Sequence, residues 1–140
     1  MRRILLMAWV TVMCIGVFTK DVHALLLEGH ISFDMNPSPS SDIYFPVYPL
    51  AQASVFEMIG HSLMFTILTY LLFINVQRLT TAFIIALSFA IMTELLQPFF
   101  GRGADAYDIV ADLIGISLVV FFCFIEKVLH KSSTSSLDKN

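Results

Sequence analysis

Three stretches of the chain are apolar almost without interruption: Met58 to Val76, Leu79 to Phe100, and about Tyr107 to Ile125. A helix rises about 1.5 Å per residue, so each stretch is long enough to cross the roughly 30 Å hydrocarbon core of a bilayer. Gln77 and Arg78 leave so little chain between the first two that they must form an antiparallel hairpin. A short loop, Gly101-Arg102-Gly103-Ala104, precedes the last.

The N-terminal third is less regular. Ile4 to Phe18 is uncharged behind Arg2 and Arg3, and its length is marginal for a span. A cleavable signal peptide is the rival reading, with a Val22-His23-Ala24 ending, but Lys20 and Asp21 crowd that site and a retained first span is preferred. Asp21 to Gln52 carries acids, a serine cluster and Pro37, Pro39, Pro46 and Pro49, which favour extended and turn conformations. It is expected to be a long extracytoplasmic loop. Its Tyr44, Phe45 and Tyr48 rings suit either the headgroup level or a plain surface connection. The serine-rich end from Lys131 to Asn140 is expected to be a disordered tail. The resulting organisation is a first segment at 1–20, a loop at 21–54, a three-helix core at 55–127 and a tail at 128–140.

Composition makes lipid the solvent. Of the 140 residues 57% are hydrophobic and 14% charged, and the mean hydropathy is +0.80, more apolar surface than a soluble domain of this size can hide. The expected fold is an all-α integral membrane bundle of about four transmembrane helices, multi-pass in a bacterial cytoplasmic membrane. A net charge of −3 without a basic face excludes a nucleic-acid partner on electrostatic grounds. Cys14 and Cys123 lie in apolar runs with no metal or redox spacing and read as packing residues. Basic residues resist translocation: with cytoplasmic termini Arg2, Arg3, Arg78, Lys127, Lys131 and Lys139 lie inside and only Lys20 and Arg102 outside. That orientation leaves Glu126 and Asp138 as the inside acids and puts the other nine at or beyond the outer ends of the spans.

The polar residues that interrupt the spans then fall at one depth. Glu57 and His61, four apart, share a helix face in the first turns of the second span; Glu94 and Gln97 sit near the outer end of the third. Asp105, Asp108 and Asp112 form a stripe descending into the fourth span, which Gly115 continues, and Arg102 lies in the loop above. Each has a plain structural alternative: Asp105 as helix N-cap, Asp108 as a first-turn acid, Glu57 as a headgroup-level acid, His61 as a hydrogen-bonded core histidine. Asp112 and Glu94 are harder to explain that way, since a charge in the apolar zone costs a few kcal/mol. Five carboxylates oppose one arginine and one titratable histidine, so shared protons, a divalent cation or a cationic ligand group must compensate. No spacing is a recognised metal signature, and no cofactor is expected.

Together Glu57-x-x-x-His61, Glu94-Leu95-Leu96-Gln97 and Arg102-x-x-Asp105-x-x-Asp108-x-x-x-Asp112-x-x-Gly115 resemble the VanZ-like family of bacterial membrane proteins. The resemblance covers about Glu57 to Gly115. Met58 stands where the family often has a basic residue, and Asp112 where it often has Asn. The family's namesake is associated with low-level resistance to the glycopeptide teicoplanin. The resemblance therefore implies a non-catalytic cell-envelope protein, with membrane lipids and a peptidoglycan precursor or glycopeptide as partners. A membrane-embedded hydrolase or transferase acting on a lipid-linked envelope substrate, with Glu94 or His61 as general base, is the alternative. Neither a G-x-S-x-G nor a Walker loop supports it. Ion transport ranks lower still, because the inner halves of the spans offer no continuous polar path. Nothing in the sequence fixes the oligomeric state.

Overall fold

The computed structural model of the chain describes residues 1–137 and is all-helical over them, with one isolated β-bridge. Five α-helices follow one another: α1 (Arg2–Phe18), α2 (Val22–Glu28), α3 (Val55–Val76), α4 (Leu79–Leu96) and α5 (Ala106–Leu137). Three segments are long and apolar enough to cross a membrane: Val55–Val76, Leu79–Phe100 and Ala106–Lys127, each of 22 residues. Their apolar side chains point outward as well as inward, the pattern of a helix whose surroundings are hydrocarbon.

Helices α1, α3, α4 and α5 form an up-and-down bundle. Ser54 caps α3 by accepting the Glu57 amide, and Gln77, in left-handed conformation at φ 59°, closes it and turns the chain into α4. Pro98 cannot donate to the Glu94 carbonyl, and α4 gives way at Leu96 to a 3-10 turn, Gln97–Phe100, that ends at Gly101 with φ 77°. At one end of the bundle α1 meets the α3–α4 turn: the Arg2 guanidinium donates to the Ile74 carbonyl, and the Asn75 amide donates to the Arg2 carbonyl. At the other end Phe18 stacks on Phe100 with centroids 4.5 Å apart. Midway the Trp9 indole donates to the Met64 carbonyl, and Met13 and Val17 are fully buried.

The tightest packing lies between α3 and α5. A Cβ placed on Gly115 would stand 2.2 Å from the Ser62 carbonyl oxygen, so only glycine permits the two backbones this approach. The Thr66 hydroxyl lies 2.7 Å from the Ser62 carbonyl and 3.2 Å from that of Gly115, donating into the crossing. Beneath it Phe65, Leu68, Leu72, Ala82, Ala86, Ala90 and Ile116 form the apolar core, with alanines every four residues on α4 giving the others room.

Two features differ from the sequence expectations. The segment 21–54 is not loop throughout, because its first part is α2, a short helix with Asp21 accepting the Ala24 amide at its start. The prolines that break helices begin only at Pro37, and Ala24-Leu25-Leu26-Leu27 before them are good helix formers. Helix α5 runs past Lys127 to Leu137, into the segment expected to be a disordered tail, because each further helical residue adds a backbone bond to a helix already nucleated. Residues 138–140 of that expectation lie outside the described residues.

The α3–α5 crossing yields a paired prediction. Gly115→Ala should destabilise the bundle by about 1–3 kcal/mol, the usual cost of overpacking, whereas Gly60→Ala, where a Cβ meets nothing within 4 Å, should be neutral or stabilising. Thermal unfolding of both variants in detergent measures this, and equal melting would contradict the close-approach role.

Candidate functional site

Where α3 begins, α4 ends and α5 begins, the polar residues singled out in the sequence come together. Helix α3 presents Glu57 and His61 one turn apart, α4 presents Glu94, and α5 presents Asp108 and Asp112 one turn apart. His61 is the hub. Its Nδ1 lies 3.0 Å from Asp112 Oδ1 and its Nε2 lies 3.5 Å from Asp108 Oδ2, so a helix α3 imidazole is held between two α5 carboxylates. Burial is deep: Glu94, Gln97 and Asp112 are 0% exposed, His61 2% and Asp108 4%.

Glu94 and Asp105 do structural work. Glu94 Oε2 accepts the Asp105 amide at 2.8 Å, fastening the start of α5 to the end of α4. Asp105 is the N-cap of α5, its Oδ1 accepting the Tyr107 amide at 2.8 Å, as the capping alternative expects. Its other oxygen accepts the Tyr48 hydroxyl. Burial, together with that carboxylate, holds the Tyr48 phenol above its ordinary pKa, so it stays protonated and donating.

Arg102 is turned toward Glu57, not toward the aspartate stripe. Its guanidinium lies 3.1 Å from Glu57 Oε2, and its other terminal nitrogen donates to the Val17 carbonyl at 3.4 Å. Two sets of charges therefore lie side by side: a partly buried Arg102–Glu57 pair at the rim, and below it the buried His61, Glu94, Asp108 and Asp112 group. Gln97 stands at the same end, and among the described residues neither of its side-chain amide atoms has a hydrogen-bond partner, nor do Glu94 Oε1, Asp112 Oδ2 and His61 Nε2.

Tyr48 and Lys20 belong to the site as well. The 37–54 segment folds back over the α4–α5 turn, where the Phe45 amide donates to the Ala104 carbonyl and the Ala104 amide to that of Ile43. The Tyr107 hydroxyl donates to the Tyr48 carbonyl, and the two rings meet edge to face. Gly101 leaves no room for a side chain against Asp34, which in turn pairs with Lys20 at 2.7 Å. Nothing in the sequence pointed to Asp105 as the partner of Tyr48.

Two cavities open beside these residues. A polar crevice of about 340 Å³ is lined by Lys20, Tyr48, Glu57, Arg102, Asp105 and Asp108 among others. An apolar groove of about 650 Å³ runs between α1, α2 and α3, past Ile15, Leu25, Phe56, Ile59 and Leu63. Glu57 and Arg102 line both, and His61 is among the residues lining the groove. The pair of them offers a charged mouth to the polar part of a molecule and a hydrocarbon-lined channel to the rest.

Removing the Tyr48 hydroxyl tests the strap over the site. Tyr48→Phe should raise amide hydrogen exchange at Phe45 and Ala104 by about tenfold, as expected for losing a hydrogen bond to a charged group worth roughly 1.5 kcal/mol, with global melting little changed. Unaltered exchange at those amides would mean the loop is held by other contacts.

The chain is similar to "Uncharacterized membrane protein YwnJ" of Bacillus subtilis (strain 168), 30% identical over 122 residues that cover 84% of this chain and 86% of the relative. No family model matches the chain, and no solved structure matches it. The alignment takes in most of the helical bundle, and the chain belongs to the family of membrane proteins that includes YwnJ.

Proposed function

We propose that this is a VanZ-like, non-catalytic protein of the bacterial cytoplasmic membrane whose outward polar cluster binds an amphiphilic cell-envelope ligand. The observation that carries the proposal is the junction of the polar crevice and the apolar groove at Glu57 and Arg102. A molecule with a charged head and a hydrocarbon chain, as in a lipid-linked peptidoglycan precursor, matches that division, and an acylated glycopeptide matches it as well. Arg102 supplies the cation for an anionic group, and Asp108 faces cationic or hydroxyl groups in the crevice. A role in tolerance to teicoplanin-type antibiotics follows from the VanZ-like pattern and is part of the same proposal.

In this reading α1 is a retained fourth span, and both termini are cytoplasmic. Its 17 residues cover about 25 Å at helical rise, and its packing from the Arg2–Ile74 contact to the Phe18–Phe100 stack favours a bundle member over a cleaved leader. Arg2 and Arg78 at one end, opposite the acid cluster, agree with basic residues on the inside. The alternative hydrolase or transferase reading draws on His61, held by Asp112 as general bases are held. Glu94 is less suited to that role, since one of its oxygens is committed to the Asp105 amide.

Glycopeptide susceptibility of a bacterial strain expressing the chain tests the function. Wild type should shift susceptibility and, at matched membrane levels, Arg102→Ala and Asp108→Asn should abolish the shift; Arg102→Ala should weaken an anionic ligand by about tenfold or about 1.4 kcal/mol. A wild type without effect, in a strain that responds to a family member, would remove the antibiotic role. Orientation is checked by labelling Gly103→Cys and Arg78→Cys in intact cells: only the first should react from outside, and the reverse pattern would invert the topology.

A further inference from the structure

Beneath the rim pair, three helices each send one buried metal-ligating side chain to the same place. His61 comes from α3, Glu94 from α4 and Asp112 from α5, and one donor atom of each lies within 4.8 Å of the others. All three are at most 2% exposed. Hydrogen bonding does not use up their capacity: among the described residues Glu94 Oε1, Asp112 Oδ2 and His61 Nε2 are buried without a hydrogen-bond partner, the nearest approach to Nε2 being the 3.5 Å ion-pair contact from Asp108. A buried carboxylate oxygen with no donor is costly, and two of them at one spot beside an imidazole form a pre-made set of acceptors facing inward.

The charge balance points the same way. Among the described residues Arg102 is the arginine at this end of the bundle, and it is engaged by Glu57 at the rim, while Lys20 is engaged by Asp34. Among the described residues the cationic group paired with Asp108 and Asp112 is His61, and a Glu94 carboxylate oxygen stands within 4.8 Å of it. Even a fully charged imidazolium neutralises one of three carboxylates.

We infer that His61, Glu94 and Asp112 form a binding site for a single zinc ion that ties α3, α4 and α5 together. One imidazole with two carboxylates is an N/O donor set that zinc accepts, at about 2.0–2.2 Å per ligand. Donors on one tetrahedral ion stand about 3.4 Å apart, so donor atoms that now lie within 4.8 Å of one another draw in by up to about 1.4 Å when the ion binds. Asp108, its Oδ2 3.5 Å from the imidazole, is beside the site as a fourth donor, and the remaining Asp105–Glu94 hydrogen bond orients the Glu94 ligand from behind. The imidazole disfavours calcium and magnesium, which take oxygen ligands. The zinc site lies in the cluster to which an envelope ligand is assigned above, but its test uses zinc alone, so the two assignments fail separately.

The experiment is metal analysis of the full chain purified in detergent, stripped with chelator, reloaded with zinc and freed of excess by gel filtration. Wild type should carry about one zinc per chain and melt at a higher temperature with zinc than without. Glu94→Gln and Asp112→Asn keep the side-chain shapes and should each bind at least about tenfold more weakly while eluting as wild type does. Glu126→Gln, an exposed acid on α5 about four turns beyond Asp112, should bind as wild type. Cobalt in place of zinc should give visible absorption bands in wild type that both cluster variants lose, which reports on ligands in any variant that is less stable. Wild type without zinc above background would overturn the site, and so would zinc retained equally by both cluster variants.

Discussion

Between α3 and α5 the imidazole of His61 meets the carboxylate of Asp112, and three residues further along α5 Gly115 lets the two backbones approach to a distance no larger residue allows. The two contacts depend on each other. Without the glycine the helices stand too far apart for a 3.0 Å polar contact, and without the polar contact an uncompensated carboxylate would face the interior of an apolar bundle. Breaking a buried pair of this kind typically costs about 3–5 kcal/mol, comparable with a large part of a small protein's stability. The chain therefore cannot be assembled with the acidic stripe turned toward lipid.

That constraint propagates outward. Fixing α5 against α3 brings Asp105 to the end of α4, where Glu94 takes its amide, and the resulting turn presents Ala104 as a backbone partner for the loop. The loop, pinned there and by Tyr48, forms one wall of the polar crevice, and α2 and α1 form the far wall of the apolar groove. The mouth shared by the two cavities thus rests on the buried group below it. A purely apolar bundle would need none of these polar residues.

The three long helices could be placed from hydropathy alone, since an uninterrupted apolar run of about 20 residues has few other uses. So could the convergence of Glu57, His61, Glu94, Asp108 and Asp112, because four-residue spacing fixes a helix face and two short turns fix the depth. What could not be read was partnership. Arg102 stands three residues from Asp105, yet it pairs with Glu57 from another helix. Glu94 looks like a base in the sequence and is a fastening for the next helix in the structure. Helix α2 escaped because its seven residues are too few for a periodic signal, and Tyr48 because 57 residues separate it from Asp105. Each of these is a tertiary contact that local pattern does not encode.

The central claim is that the junction of crevice and groove holds an amphiphile by its head. Native mass spectrometry of the chain extracted from bacterial membranes measures this most directly. The account predicts a bound lipid with an anionic headgroup on wild type that is lost from Arg102→Ala while the helical content is unchanged. Equal lipid on both, or none on wild type under conditions that preserve its helices, would contradict it.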